Sequence, residues 1–91
     1  MTRIYGKAEN KTDIRNINSK IRKDVRKART RSRLTELYNR SKYLITLTYS
    51  PALKGKGLRS VAKEEFRKTT SLINRRARMI GTSANYDTMW G

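Results

Sequence analysis

The 91-residue sequence contains no cysteine and no histidine. Without thiols, neither a disulfide framework nor a thiolate metal site can form, and the missing imidazole removes the other main zinc ligand. The same absences take away the side chains that most often serve as general base or nucleophile. Only seven carboxylates remain, Glu9, Asp13, Asp24, Glu36, Glu64, Glu65 and Asp87. Just one pair, Glu64 and Glu65, is adjacent, and neighbours on a helix diverge by about 100° instead of converging on one ion. No enzyme, metal site or cofactor is therefore expected.

Long apolar runs are also missing. Met1 to Lys11 is polar and lacks the apolar centre of a signal peptide, and no stretch approaches the roughly 18 apolar residues of a membrane span. A cytoplasmic or nucleoid setting is expected. Proline occurs once, at Pro51, so long helices can run on either side of it. Large apolar side chains are scarce for the length, so any core is thin and suits a single small domain.

What the chain does have is positive charge: 23 Lys and Arg against 7 Asp and Glu, a formal net charge of +16. Ordinary small domains carry net charges of about 2–8 in magnitude, and such an excess repels itself unless a polyanion neutralises it. Among cellular polyanions RNA and DNA come first, then anionic lipid.

Residues 1–11 read as an irregular leader. Thr12 or Asp13 is the expected cap of a helix whose apolar positions Ile14, Ile17, Ile21, Val25 and Ala28 recur at steps of three and four. After a loss of phase at Thr30 to Arg33, a second stripe runs through Leu34, Leu37, Tyr38, Ser41, Leu44, Ile45 and Thr48. A strand at Tyr43 to Tyr49 competes with helix there, but the helical stripe is longer and a lone strand has no partner. Ser50-Pro51 ends the element, and Lys54-Gly55-Lys56-Gly57 marks a loop. A last helix, capped at Ser60, carries Val61, Ala62, Phe66, Thr69, Leu72, Ile73, Met79 and Ile80 toward a core and stops at Gly81. The fold class is thus all-α, with three helices near 13–31, 33–49 and 60–80 and an aromatic tail over 82–91.

Lys20 to Arg33 holds eight basic residues and one acid: Lys20, Arg22, Lys23, Arg26, Lys27, Arg29, Arg31 and Arg33 against Asp24. The bias to arginine favours close, forked contact with phosphate over a merely solvated face. Lys54, Lys56 and Arg59 form a second group around the loop, and Arg75, Arg76 and Arg78 a third at the end of the last helix. The Lys-Gly-Lys-Gly turn lacks the framing of a phosphate-binding loop. Tyr49 is the candidate for stacking on a base, Tyr38 and Tyr43 for the core or its edge. Asn18, Asn39 and Asn74 are candidates for a base contact. Tyr86 and Trp90 either fold back onto the helices or anchor a partner.

An arginine-rich first helix followed by a helical hairpin resembles the layout of small basic ribosomal proteins, and Lys27 to Arg33 is similar in composition to arginine-rich RNA-binding peptides of phage antiterminators. Neither likeness rests on a specific motif, and neither assigns a role to any residue. The sequence supports a non-enzymatic nucleic-acid-binding protein acting through phosphate contacts. RNA is slightly favoured because no helix-turn-helix spacing is visible. The alternative is a small accessory or inhibitor protein of the mobile-element type, bound to a ribonucleoprotein or a nucleic-acid enzyme through its tail, with a homodimer formed through the Ile14–Ala28 stripe. A membrane-surface role is disfavoured because that stripe is narrow and lacks Trp, Phe and Leu.

Overall fold

The computed structural model describes residues 10–47 and 57–88. It contains three helices, α1 Lys11–Lys27, α2 Arg31–Leu47 and α3 Leu58–Met79, and no strand among the described residues. The all-α expectation holds, and residues 43–47 are helical. Thr48 and Tyr49, the rest of the segment that competed as a strand, lie outside the described residues.

The boundaries moved for physical reasons. α1 starts before both expected caps: Asn10 adopts extended backbone and its side chain accepts the Asp13 N–H at 2.8 Å, so Lys11, Thr12 and Asp13 form the first turn. Lys11, placed in the leader by the sequence, is thus helical, and residues 1–9 lie outside the described residues. α1 ends at Lys27, and Ala28 turns out with extended backbone. Two residues later Thr30 caps α2, its hydroxyl accepting the Arg33 N–H at 3.1 Å. The break therefore falls just ahead of the Thr30–Arg33 loss of phase. α3 starts at Leu58 instead of after Ser60, because Gly57 takes a left-handed conformation, φ +70°, that turns the chain into the helix without a side-chain cap.

Gly81 ends α3 as expected. Its φ of +79° lets its own N–H reach the Arg78 carbonyl while the Thr82 N–H reaches the Ala77 carbonyl, the paired bonds of a Schellman turn.

Ile14, Ile17, Ile21 and Val25 of α1, Leu34, Leu37, Leu44 and Ile45 of α2, and Leu58, Ala62, Phe66, Ile73 and Ala77 of α3 form one buried cluster, closed by Ala28. Of the other residues expected on these stripes, Tyr38, Val61, Leu72 and Ile80 are partly buried and pack against the cluster, and two residues expected at the core or its edge are exposed. Tyr43 is 63% exposed and Met79 is 69% exposed, because the buried faces of α2 and α3 each point away from them.

The helices run up, down, up. Lys11 lies beside Gly57, Asn18 bonds Thr69, and Arg76 reaches the Ala28 carbonyl, so α1 and α3 are parallel and the most intimately packed pair. α2 runs against both, with Ser41 on Asn18 and Arg33 on Asp24.

A polar layer interrupts the core where the three helices meet. Asn18 is fully buried and uses both ends of its amide: Nδ2 donates to the Ile14 carbonyl at 3.0 Å, while Oδ1 accepts from the Ser41 hydroxyl at 3.3 Å and the Thr69 hydroxyl at 3.1 Å. One residue from each helix is thereby held at a fixed level, which an all-aliphatic core would leave to shape alone.

Candidate nucleic-acid interface

The buried stripe of α1 fixes which of its residues face outward. Lys20, Lys23, Arg26 and Lys27 are exposed, as is Arg15, and none of the five makes an ion pair among the described residues. The two acids of this helix, Asp13 and Asp24, sit on its α2-facing flank, where Asp24 meets Arg33 at 3.5 Å. The outward arc of α1 is therefore cationic along its length.

The topology gathers more charge at one end. α1 and α3 both finish where α2 begins, so Arg26, Lys27 and Arg29 share that end with Arg31 and with Arg75 and Arg78. Arg29, Arg31, Arg75 and Arg78 are all exposed and make no ion pair among the described residues. Two helix C-termini lie here, whose carbonyl ends favour nearby cations, against the single N-terminus of α2, which opposes them.

Three of the arginines expected to meet nucleic acid are used inside the fold. Arg22 donates to Glu65 at 2.9 Å and to the Thr69 hydroxyl at 3.3 Å; its side chain is 23% exposed and that of Glu65 only 6%. It ties α1 to α3 and neutralises a buried carboxylate that Lys68 reaches at 3.6 Å. Arg33 bridges Asp24 and Glu36, and its hydrogen bond, with help from Arg40, holds the Glu36 carboxyl below the ordinary glutamate value. Arg76 donates from Nε to the Ala28 carbonyl at 2.8 Å, satisfying an acceptor at the corner after α1.

Two of the three asparagines are likewise engaged. Asn18 belongs to the buried layer. Asn74 clasps the tail, accepting the Tyr86 N–H at 2.7 Å and donating to the Tyr86 carbonyl at 2.8 Å. Asn39 alone of the three is exposed.

Arg59 is exposed at the start of α3, at the end of the bundle opposite Arg75 and Arg78. Lys54, Lys56, Tyr49 and Trp90 lie outside the described residues.

Tyr86 folds back. Its ring packs on Tyr38 at 4.8 Å between centroids, its hydroxyl is 2.6 Å from the Thr35 hydroxyl, and Tyr38 in turn packs on Phe66 at 5.6 Å and donates to the Asp87 carbonyl. Burial, with the nearby Asp87 carboxylate, pushes the Tyr38 phenol above its ordinary pKa. Of the two roles set out for Tyr86, this is the intramolecular one.

Sequence reasoning missed the partners more than the residues. Ser41 and Thr69 stood in apolar stripes as polar intruders, and Asn18 sits one turn after Ile14. Three such intruders facing one core are the signal that a polar layer joins them.

No helix among the described residues is long and apolar enough to cross a membrane. Comparison with known proteins finds no family model, no curated protein and no solved structure that matches this chain.

Proposed function

We propose that this protein is a non-enzymatic nucleic-acid-binding module that holds the phosphate backbone against the outward arc of α1 and the adjoining arginine-rich end of the bundle. The observation that carries this reading is the separation of charge by use. Arg22, Arg33 and Arg40 meet the carboxylates Glu65, Asp24 and Glu36, while Arg15, Lys20, Lys23, Arg26, Lys27, Arg29, Arg31, Arg75 and Arg78 are left exposed without a carboxylate partner among the described residues. A merely solvated basic surface would spread its few acids among its cations. Here the exposed arc presents uncompensated charge, and a polyanion gains affinity by releasing condensed counterions as it docks.

Phosphate contact alone reads no sequence, so this term gives affinity for any nucleic acid. Of the features named for an accessory or inhibitor protein, the Ile14–Ala28 stripe is core and Tyr86 is packed on Tyr38, while Trp90 lies outside the described residues.

The test is a set of charge variants with internal controls. Lys23→Gln, Arg26→Gln and Lys27→Gln together should weaken binding to every nucleic acid while leaving the melting temperature within a few degrees. Arg22→Gln should instead lower stability first. A triple variant that binds like the parent protein at all salt concentrations would overturn the assignment of α1.

A further inference from the structure

Resting on that reading, the shape of α1 narrows its ligand to one class of nucleic acid. We infer that α1 enters the major groove of B-form duplex DNA, with its cations on the two phosphate walls and a crest of short polar side chains at the base edges.

The argument starts from the helical wheel. Ile14, Ile17, Ile21 and Val25 point inward, and at about 100° per residue the positions opposite them are Thr12, Asn16, Ser19 and Lys23. All four are exposed. Three of the four are short and uncharged, on a helix whose other outward positions are long cations. Arg15 and Arg26 stand on the flank that faces α3, where Arg22 marks that side by its bond to Glu65. Lys20 and Lys27 stand on the other flank, the side on which Asp24 meets α2.

A short polar crest between two rows of long cations fits a groove with two charged walls. An α-helix is about 10–12 Å across with its side chains, and the B-DNA major groove is about 12 Å wide and 8.5 Å deep. The seventeen residues of α1 span about 25 Å at 1.5 Å each, enough to follow the groove over several base pairs. At the crest, Asn16 carries the amide that pairs with adenine N6 and N7, and Ser19 and Thr12 carry hydroxyls that accept or donate. A single-stranded ligand would instead favour aromatic platforms, and the outward arc of α1 has no aromatic residue. A-form RNA is a poor fit, because its major groove is too narrow and deep for a helix. The lack of a helix-turn-helix spacing, which tilted the sequence toward RNA, concerns how two helices are joined and does not bear on a groove-entering α1.

The experiment compares the full-length protein on duplexes of equal length and charge: plain DNA, the same DNA with glucosylated hydroxymethylcytosine filling the major groove, and the matching RNA duplex. Plain DNA should bind best, with the filled groove and the RNA each weaker by roughly tenfold or more, the size of a lost base-edge contact. Asn16→Ala with Ser19→Ala, both favourable in a helix, should weaken binding to plain DNA and leave the filled-groove duplex nearly unchanged. Equal affinity for open and filled grooves, or an RNA duplex bound as tightly as DNA, overturns the groove assignment while leaving phosphate binding standing. Absence of salt-dependent binding to all three ligands overturns the underlying reading as well.

Discussion

Asn18 shows how much one side chain settles in a core this thin. Its amide oxygen accepts from one hydroxyl on each of the other helices, so Asn18→Ala would leave Ser41 and Thr69 buried without that acceptor. Each buried polar group left unpaired costs about 1–3 kcal/mol. Urea denaturation should therefore show a loss of about 2–4 kcal/mol. Replacing the layer as a set, Asn18→Leu with Ser41→Ala and Thr69→Val, should recover much of that loss, because no buried hydroxyl of the layer is then stranded and Arg22, which gives up its bond to Thr69, keeps Glu65. A set as damaging as the single change would mean that packing shape governs the site.

Arg22 and Glu65 make an asymmetric pair. Glu65→Gln leaves Arg22 on the edge of solvent, whereas Arg22→Gln leaves a buried carboxylate with only the exposed Lys68 at 3.6 Å, so the arginine variant should melt at the lower temperature. Tyr38 gives a test in pH. Its folded-state pKa lies above the ordinary tyrosine value of 10.0, so its contribution to stability is intact below pH 10 and fades as pH rises through the higher folded value. The difference in alkaline absorbance titration between the parent protein and Tyr38→Phe should place this phenol above 10; a midpoint at or below 10 would contradict its packing against Tyr86 and Phe66.

At the scale of elements, helix existence was legible because apolar residues recur at three and four over long windows, and a stripe survives errors at either end. Helix starts were not. Asn10 caps as well as Asp13 would, and Gly57 has no side chain to cap with, so backbone position decides where each helix starts. The stop at Gly81 was legible because a left-handed residue leaves few alternatives to glycine. Gly81→Ala meets nothing within 4 Å, so its cost is backbone strain alone, about 1 kcal/mol, readable as a drop in melting temperature of several degrees. An unchanged melting temperature would mean that the Schellman turn adds little to α3. The basic residues of the candidate site stand out in the sequence as a population, but their division into structural and exposed members does not. Arg22 and Arg26 share the flank of α1 that faces α3, and the position of Glu65 on α3 gives Arg22 alone a carboxylate partner among the described residues.

For the molecule as a whole, the parallel course of α1 and α3 matters most, because it brings segments near residues 26–31 and 75–78 to one end. That juxtaposition follows from the up, down, up topology, and no local pattern in the chain announces it. It also explains how a core of fourteen buried apolar residues among those described coexists with a net charge of +16: much of the exposed charge lies along one helix and at one end, away from the tail packed on Tyr38. A polyanion that covers this surface should stabilise the fold, so added nucleic acid should raise the melting temperature in proportion to its affinity.

The most direct test of nucleic-acid binding through the outward arc of α1 is the slope of log affinity against log salt, measured on labelled duplex for the parent protein and for a variant with Lys20, Lys23, Arg26 and Lys27 all changed to Gln. Each phosphate contact adds about 0.9 to the steepness of that slope on B-form DNA, so the variant should bind more weakly and its line should be shallower by up to about 3.6. Parallel lines for the two proteins, or no salt-dependent binding by either, would contradict it.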